Sequence, residues 1–300
     1  MNDPVITIIG PTGVGKTRIS IALAKATDAE IVSADSRQVY KYFDIGTAKP
    51  TRFERSEIRF HLIDFLEPDE SYSCGRFARD ARALLCDIRK RGSVPIVCGG
   101  TGLYVKALFE PLHELPPSQP AVKEQLTREL AVLGVAGMYK RLESIDPTWA
   151  RSIKPADRQR ILRGLEVYEI TGRSLSSFLD GKKATSPFRP KYIGLQLPRE
   201  VMYQRIDQRF DAMIQAGLVD EVRSLPGLGY PWTLGVFKTI GYKEIVDHLE
   251  GRMTLEQAVM AAKRRTRNFA KRQMTWFSRV QGVKWYDADE MDINKIVSSR

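Results

Sequence analysis

The run GPTGVGKT at residues 10–17 constrains this chain more than any other feature. It fits the pattern G-x-x-x-x-G-K-[ST] in full, between the β-branched run at residues 5–9 and a helix-compatible run at residues 19–26. Strand, glycine-rich turn and helix in that order predict a phosphate loop. The glycines let backbone N–H groups turn inward as an anion nest, and the helix adds the positive end of its dipole. Gly10, Pro11, Thr12, Gly13, Val14 and Gly15 are expected to form the cradle. Lys16 adds a mobile charge and Thr17 a hydroxyl for Mg2+. A glycine-rich turn that binds nothing is the structural alternative. The motif calls for a polyphosphate, which need not be a nucleoside triphosphate.

The rest of the N-terminal third continues the alternation. Further strands are expected at residues 30–34, 60–66 and 94–98. Between the last two, Ser73 is placed to cap a helix whose apolar positions Phe77, Ala81, Leu84, Leu85 and Ile88 share one face, with Gly92 to end it. Short apolar strands alternating with amphipathic helices predict an α/β core with a parallel sheet. The pattern changes at residues 111–120, where four of ten residues are Pro. Only helical stripes follow, until a linker at residues 181–190 and a strand at residues 192–197. The economical organisation is a core of residues 1–114 and 191–300 with a helical insertion at residues 115–190. Long helices are expected at residues 199–215 and 254–277, then a strand at residues 283–286.

Composition excludes several classes. Apolar residues make up 43% and charged residues 28%, and no apolar run approaches the roughly 20 residues that a bilayer requires. The N-terminus does not read as a signal peptide. Cys74, Cys86 and Cys98 are odd in number and far apart, and His61, His113 and His248 are scattered. Neither a disulfide scaffold nor a zinc site is expected, and a reducing cytosol fits best. Net charge is +11, of which residues 257–286 supply +8 with no acidic residue among them. Such a concentration fits a polyanionic partner, nucleic acid foremost, or a solvated helix face.

Three further groups are candidates for chemistry. Asp35 stands where the second strand runs out, and strand carboxyl ends border the crevice of a parallel sheet. A carboxylate there can reach Mg2+ through water or act as a general base; an Asx-turn or helix cap is the alternative. Thr101, within GGTG at residues 99–102, is expected to donate to a phosphate, or else to serve a structural turn. Arg205 and Arg209 lie one helical turn apart and share a face, open either to function or to pairing with acids such as Asp207 and Asp211. Arg158, Arg160 and Arg163 in the insertion form a second basic group, with Gln159 and Tyr168 interleaved.

GPTGVGKT, SADSRQVYKYFDIGTAKPT, HLIDFLEPDESYS, GGTGLYVKALFE, DRQRILRGLEVYEITG, GYKEI and KRQMTWF stand in the order seen in tRNA dimethylallyltransferases. The chain resembles that family over residues 4–286. The resemblance implies a P-loop NTPase-like core with a helical insertion, a prenyl diphosphate where kinases bind nucleotide, and tRNA as partner. The implied reaction moves the dimethylallyl group of dimethylallyl diphosphate to N6 of adenosine 37, in the anticodon stem-loop, and releases pyrophosphate. It makes Asp35 the base for the N6 proton. Lys16, Thr17 with Mg2+, Thr101 and Arg209 would neutralise the leaving group.

The same resemblance assigns a tRNA face. Asp35, Ser36, Arg37, Gln38 and Thr101 would meet the flipped base, and Gln159, Arg160, Ile161, Leu162 and Arg163 the stem-loop. Lys123, Tyr242, Lys243, Lys271 and Arg272 would add contacts. A monomer in the cytoplasm, with no membrane association, is expected. Pro111 departs from a position where the family often has Gly, which bears on the hinge to the insertion. The sequence stops at Arg300 with no Cys/His-rich extension, so a bacterial type is expected. The rival readings are an adenylate isopentenyltransferase, a small-molecule kinase and an RNA-binding ATPase.

Overall fold

A computed structural model of the chain describes residues 4–110, 113, 115–179 and 186–297. Six strands, β1 (Val5–Ile9), β2 (Ala29–Ser33), β3 (Phe60–His61), β4 (Val94–Gly99), β5 (Pro190–Gln196) and β6 (Lys284–Asp287), form one sheet. Its order is β3-β2-β4-β1-β5-β6 and every pairing is parallel. A parallel sheet must be covered on both faces, and the composition of β1 shows it. Val5 and Ile9 pack with Phe77, Leu85 and Tyr104 on one side, while Ile6 and Ile8 pack with Ile19, Leu23 and Ile31 on the other. The one polar residue of β1, Thr7, is buried and returns its hydroxyl to the Val5 carbonyl at 3.0 Å.

The helix after Ser73 forms as its sequence predicts. The Ser73 hydroxyl accepts from the Arg76 N–H at 3.1 Å, and the helix Cys74–Lys90 ends just before Gly92. The strand expected at residues 60–66 is cut short after His61. Leu62 and Asp64 take positive φ (58° and 60°) and turn the chain away from the sheet. The Asp64 carboxylate then receives the buried Lys49 ammonium at 2.8 Å and Arg55 at 3.1 Å. Ion pairs of this kind need tertiary partners that local periodicity does not record.

Two compact units emerge, Met1–Phe109 with Pro187–Arg300, and Glu110–Ser186. The insertion expected at residues 115–190 thus loses its last four residues to the core. The Val5 N–H donates to Arg189 O at 2.7 Å, Phe188 is buried among core residues, and β5 begins at Pro190. Pro111 and residues 181–185 of the expected linker lie outside the described residues.

In the insertion, helices Pro120–Ile145, Pro147–Ser152, Arg158–Thr171 and Leu175–Leu179 surround a core of Leu126, Leu130, Met138, Leu142, Ile161 and Leu165. The long first helix leaves helical geometry at Gly134 (φ 65°), which separates the two apolar stripes seen in the sequence. Ile161 is 0% exposed, so its side chain is core and not the tRNA contact expected. Leu162 is half-buried against the same core.

The C-terminal part of the larger unit carries helices Arg199–Gln215, Leu218–Ser224, Tyr242–Leu249 and Leu255–Phe277. The last holds most of the basic cluster, which divides by partner. Lys263 pairs with Asp211 at 2.6 Å, Arg267 with Asp207 at 2.6 Å, and Arg265 with Glu244. Arg264, Lys271 and Arg272 are exposed and make no ion pair among the described residues. No helix among the described residues is long and apolar enough to cross a membrane.

Candidate active site

β4 lies between β1 and β2, so the turns after these three parallel strands open on one crevice. The first is the phosphate loop. Gly15 caps the helix Lys16–Thr27 with φ 97°, a conformation a residue with a Cβ adopts only under strain. The backbone N–H groups of Gly13, Val14, Gly15, Lys16 and Thr17 make no hydrogen bond among the described residues. They form an anion nest at a helix N-terminus. Pro11 has no N–H to add, and its carbonyl accepts from Lys16 Nζ at 2.8 Å.

Burial pushes the Lys16 ammonium down to about 8, helped by the Arg209 charge and opposed by Cys98 and Asp35. Burial also raises the Cys98 thiol, which keeps it protonated and a poor nucleophile. A bound anion favours the charged lysine, so binding above the free-state value must take up a proton. The affinity for pyrophosphate is therefore expected to fall as pH rises through about 8. Lys16→Arg, charged throughout, should lack this fall. Calorimetric titration of both proteins with pyrophosphate checks it, and superimposable profiles would refute it.

Asp35 follows β2 and does two things at once. Its Oδ1 accepts from the Arg37 N–H at 2.8 Å and from the Gln38 N–H at 3.3 Å, which is the Asx-turn weighed as an alternative. Its Oδ2 makes no hydrogen bond among the described residues and is free for chemistry. The two roles belong to different oxygens of one carboxylate.

Two cavities meet at this residue. One, of about 220 Å3, is lined by Gly13, Gly15, Lys16, Thr17 and Cys98. The other, of about 520 Å3, includes Arg37, Thr101, Ile206, Phe210 and Phe269. Both are bounded by Thr12, Asp35, Thr47 and Arg209.

Arg205 and Arg209, equivalent by helical spacing, part company here. Arg205 reaches Asp289 at 2.7 Å on the surface. Arg209 turns into the crevice, donates from Nη2 to Thr12 Oγ1 at 2.7 Å and faces Asp35; burial lowers its pKa, which the Asp35 charge opposes.

Thr101 differs from expectation. It borders the larger cavity and not the phosphate nest. Its Oγ1 accepts from the Ser36 N–H at 3.0 Å and donates to Ser36 Oγ at 3.4 Å, tying the β4 turn to the β2 turn. Gln38 is likewise spent: its amide donates to Thr47 O at 3.2 Å and Ala48 O at 3.0 Å, so it holds a loop and not a base. Tyr242 is 0% exposed with its hydroxyl on Glu221 at 2.5 Å, which removes it from any tRNA surface. Lys243 is paired with Asp247 at 2.5 Å, and Arg163 with Glu166 at 2.6 Å and Pro116 O at 2.6 Å. Arg37, Lys123, Gln159, Arg160, Lys271 and Arg272 are exposed.

One residue escaped the sequence reading. Gln273 is buried, and its Oε1 accepts from the Thr12 N–H at 2.8 Å while its Nε2 donates to Gly100 O at 2.8 Å. Its only signal is a polar residue on the apolar side of the helix Leu255–Phe277, in register with the buried Ala270 and Phe277.

Mg2+ fits the donors present. Thr17 Oγ1 makes no hydrogen bond among the described residues, and it lines the nest together with Asp35. No cluster of three or more His, Cys, Asp or Glu capable of holding a metal occurs among the described residues. That suits an ion which keeps several waters and takes the rest of its ligands from substrate phosphates.

Comparison with known proteins gives concordant matches. The chain matches the family model for IPP transferase over residues 38–280 and that for isopentenyl transferase over residues 4–65. It is 43% identical over 298 residues to a tRNA dimethylallyltransferase of Carboxydothermus hydrogenoformans, spanning 99% of this chain and 96% of that protein. A tRNA dimethylallyltransferase of a Roseiflexus species is 45% identical over 294 residues, 97% of this chain and 95% of the other. The crystal structure of the full-length tRNA isopentenylpyrophosphate transferase of Bacillus halodurans superposes with a TM-score of 0.71 at 37% identity, covering 99% of this chain and 94% of that one. A eukaryotic dimethylallyltransferase, solved in crystallographic snapshots acting on tRNA, gives 0.82 at 31% identity, covering 100% of this chain and 80% of that one.

Proposed function

Because the chain belongs to the IPP transferase family, we propose that it moves the dimethylallyl group of dimethylallyl diphosphate onto N6 of adenosine 37 in tRNA, releasing pyrophosphate. It is a tRNA dimethylallyltransferase, a prenyltransferase enzyme. The observation that carries the assignment of donor and acceptor is the pair of adjoining cavities bounded in common by Asp35 and Arg209. The smaller one, walled by backbone N–H groups and Lys16, suits a diphosphate. The larger one, part aromatic and part basic, suits a base lifted from its stack, at a cost of a few kcal/mol.

An exocyclic adenine amine is a weak nucleophile because its lone pair is delocalised into the ring. The N6 lone pair attacks C1 of the allyl group as the C1–O bond breaks, and the bonding pair leaves with pyrophosphate. The N6 proton passes to Asp35 Oδ2, the oxygen left free by the turn. The nest, Lys16 and Arg209 hold the leaving group as its charge grows. Thr17, with Asp35 through water, would hold Mg2+, which lends positive charge to the departing diphosphate. Ser36 and Thr101 brace the turn that aims Asp35. The exposed Lys123, Gln159, Arg160, Lys271 and Arg272 offer phosphate contacts to the tRNA.

The direct test incubates the protein with dimethylallyl diphosphate and an unmodified anticodon stem-loop, with AMP as the competing acceptor. The mass of adenosine 37 is expected to rise by one dimethylallyl group. Incorporation into AMP and never into RNA would overturn the acceptor; ATP consumption without prenyl transfer would overturn the donor.

A further inference from the structure

The phosphate loop runs out of donors early. Its nest N–H groups from Gly13 to Thr17 make no hydrogen bond among the described residues, yet the next one outward, that of Thr12, is already taken by Gln273 Oε1 at 2.8 Å. Beyond Thr12 stands Pro11, which has no N–H. The Thr12 hydroxyl oxygen accepts from Arg209 Nη2 at 2.7 Å, so past Gly13 the backbone offers no donor and only side chains remain. A phosphoryl chain laid along the loop from the helix end outward therefore meets free backbone donors at first and none past Gly13.

The cap is built with care. The Thr12 N–H can only donate and the Gly100 carbonyl can only accept, so the amide orientation of Gln273 is set by its partners. Gln273 is 7% exposed, and a Cβ at Gly100 would come within 2.4 Å of its Nε2. The third residue of the phosphate loop is thus clamped from the helix Leu255–Phe277, 261 residues away in sequence.

We propose that Gln273 is a specificity-determining residue: by occupying the Thr12 N–H it limits the phosphate loop to a diphosphate and disfavours a triphosphate. This rests on the reading that the cradle holds a diphosphate and names the residue that enforces it. A third phosphoryl would have to displace a buried amide, leaving the Gly100 carbonyl and the amide itself without partners.

Two variants separate the cap from a mere structural tie. Gln273→Met keeps the volume and frees the Thr12 N–H; Gln273→Glu keeps an acceptor for it and adds negative charge toward a third phosphoryl. Affinities for pyrophosphate and tripolyphosphate are measured by calorimetry, with thermal melting to follow the fold. The unaltered protein is expected to prefer pyrophosphate by about tenfold or more, the worth of one hydrogen bond to a charged group. Gln273→Met should collapse that preference by about tenfold, and Gln273→Glu should widen it. If either variant loses affinity for both anions by the same factor, so that the ratio is unchanged, Gln273 is a structural tie only and the proposal fails. The readout needs no prenyl transfer, so failure here leaves the proposed reaction standing, and failure of the reaction leaves this result readable.

Discussion

Asp35→Asn is expected to slow prenyl transfer by about 10²–10⁴-fold while leaving the fold and tRNA affinity near their original values. The asparagine keeps a side-chain oxygen for the Arg37 and Gln38 N–H groups, so the turn after β2 survives. What it loses is the basic lone pair on the second oxygen, the acceptor for the N6 proton. Asp35→Ala removes both, and should add weaker tRNA binding to the slow rate because the Arg37 and Gln38 N–H groups are no longer held. Single-turnover rates with tRNA saturating isolate the chemical step. A rate for Asp35→Asn within about threefold of the original would be far below the usual worth of a general base and would reduce Asp35 to a turn residue.

Arg209→Ala is the second large effect expected, a loss of about 10²–10³-fold in kcat, the scale set by removing one preorganised donor at a site of growing charge. Its guanidinium is buried beside Asp35 and reaches the phosphate loop through Thr12 Oγ1, so no water of comparable strength replaces it. Arg205→Ala is the internal control. That side chain is one turn away on the same helix, but it is paired with Asp289 in solvent, a contact worth about 0–1 kcal/mol. Steady-state rates of both variants check the pair. Equal losses in the two would show that the effect comes from the helix and not from the guanidinium in the crevice.

The contrast between these arginines shows what can be read from the chain alone. Spacing put Arg205 and Arg209 on one helical face; which of them meets a carboxylate in water and which turns inward depends on Asp289 and Thr12, residues 84 and 197 positions away. Features encoded within a dozen residues were legible: β1 as a short buried strand, the Ser73 cap, and the phosphate loop as a glycine-rich turn at a helix start. Asp35 was legible as a site residue because parallel strands bring their carboxyl ends to one crevice, though only the structure divides its oxygens between turn and chemistry.

Contacts inferred from motif membership fared unevenly. A motif does not distinguish a residue that touches the ligand from one that supports it. Ile161 and Tyr242 sit within matching motifs and are core; Gln38 and Thr101 sit there and hold loops. Gln273 sits there too, and went unread because a single buried amide leaves no periodic trace.

Strand order also bears on how the protein is born. β1 finds one neighbour in β4 after about ninety residues, but its other neighbour, β5, begins only at Pro190. At roughly 5–20 residues per second, the ribosome needs on the order of 10–40 s to deliver that second edge. Through that interval the nascent sheet offers an unpaired apolar strand, a template for wrong partners that chaperones would have to shield. The helix carrying Gln273 emerges later still, so the first loop of the sheet waits for a partner 261 residues further along the chain before it can be locked.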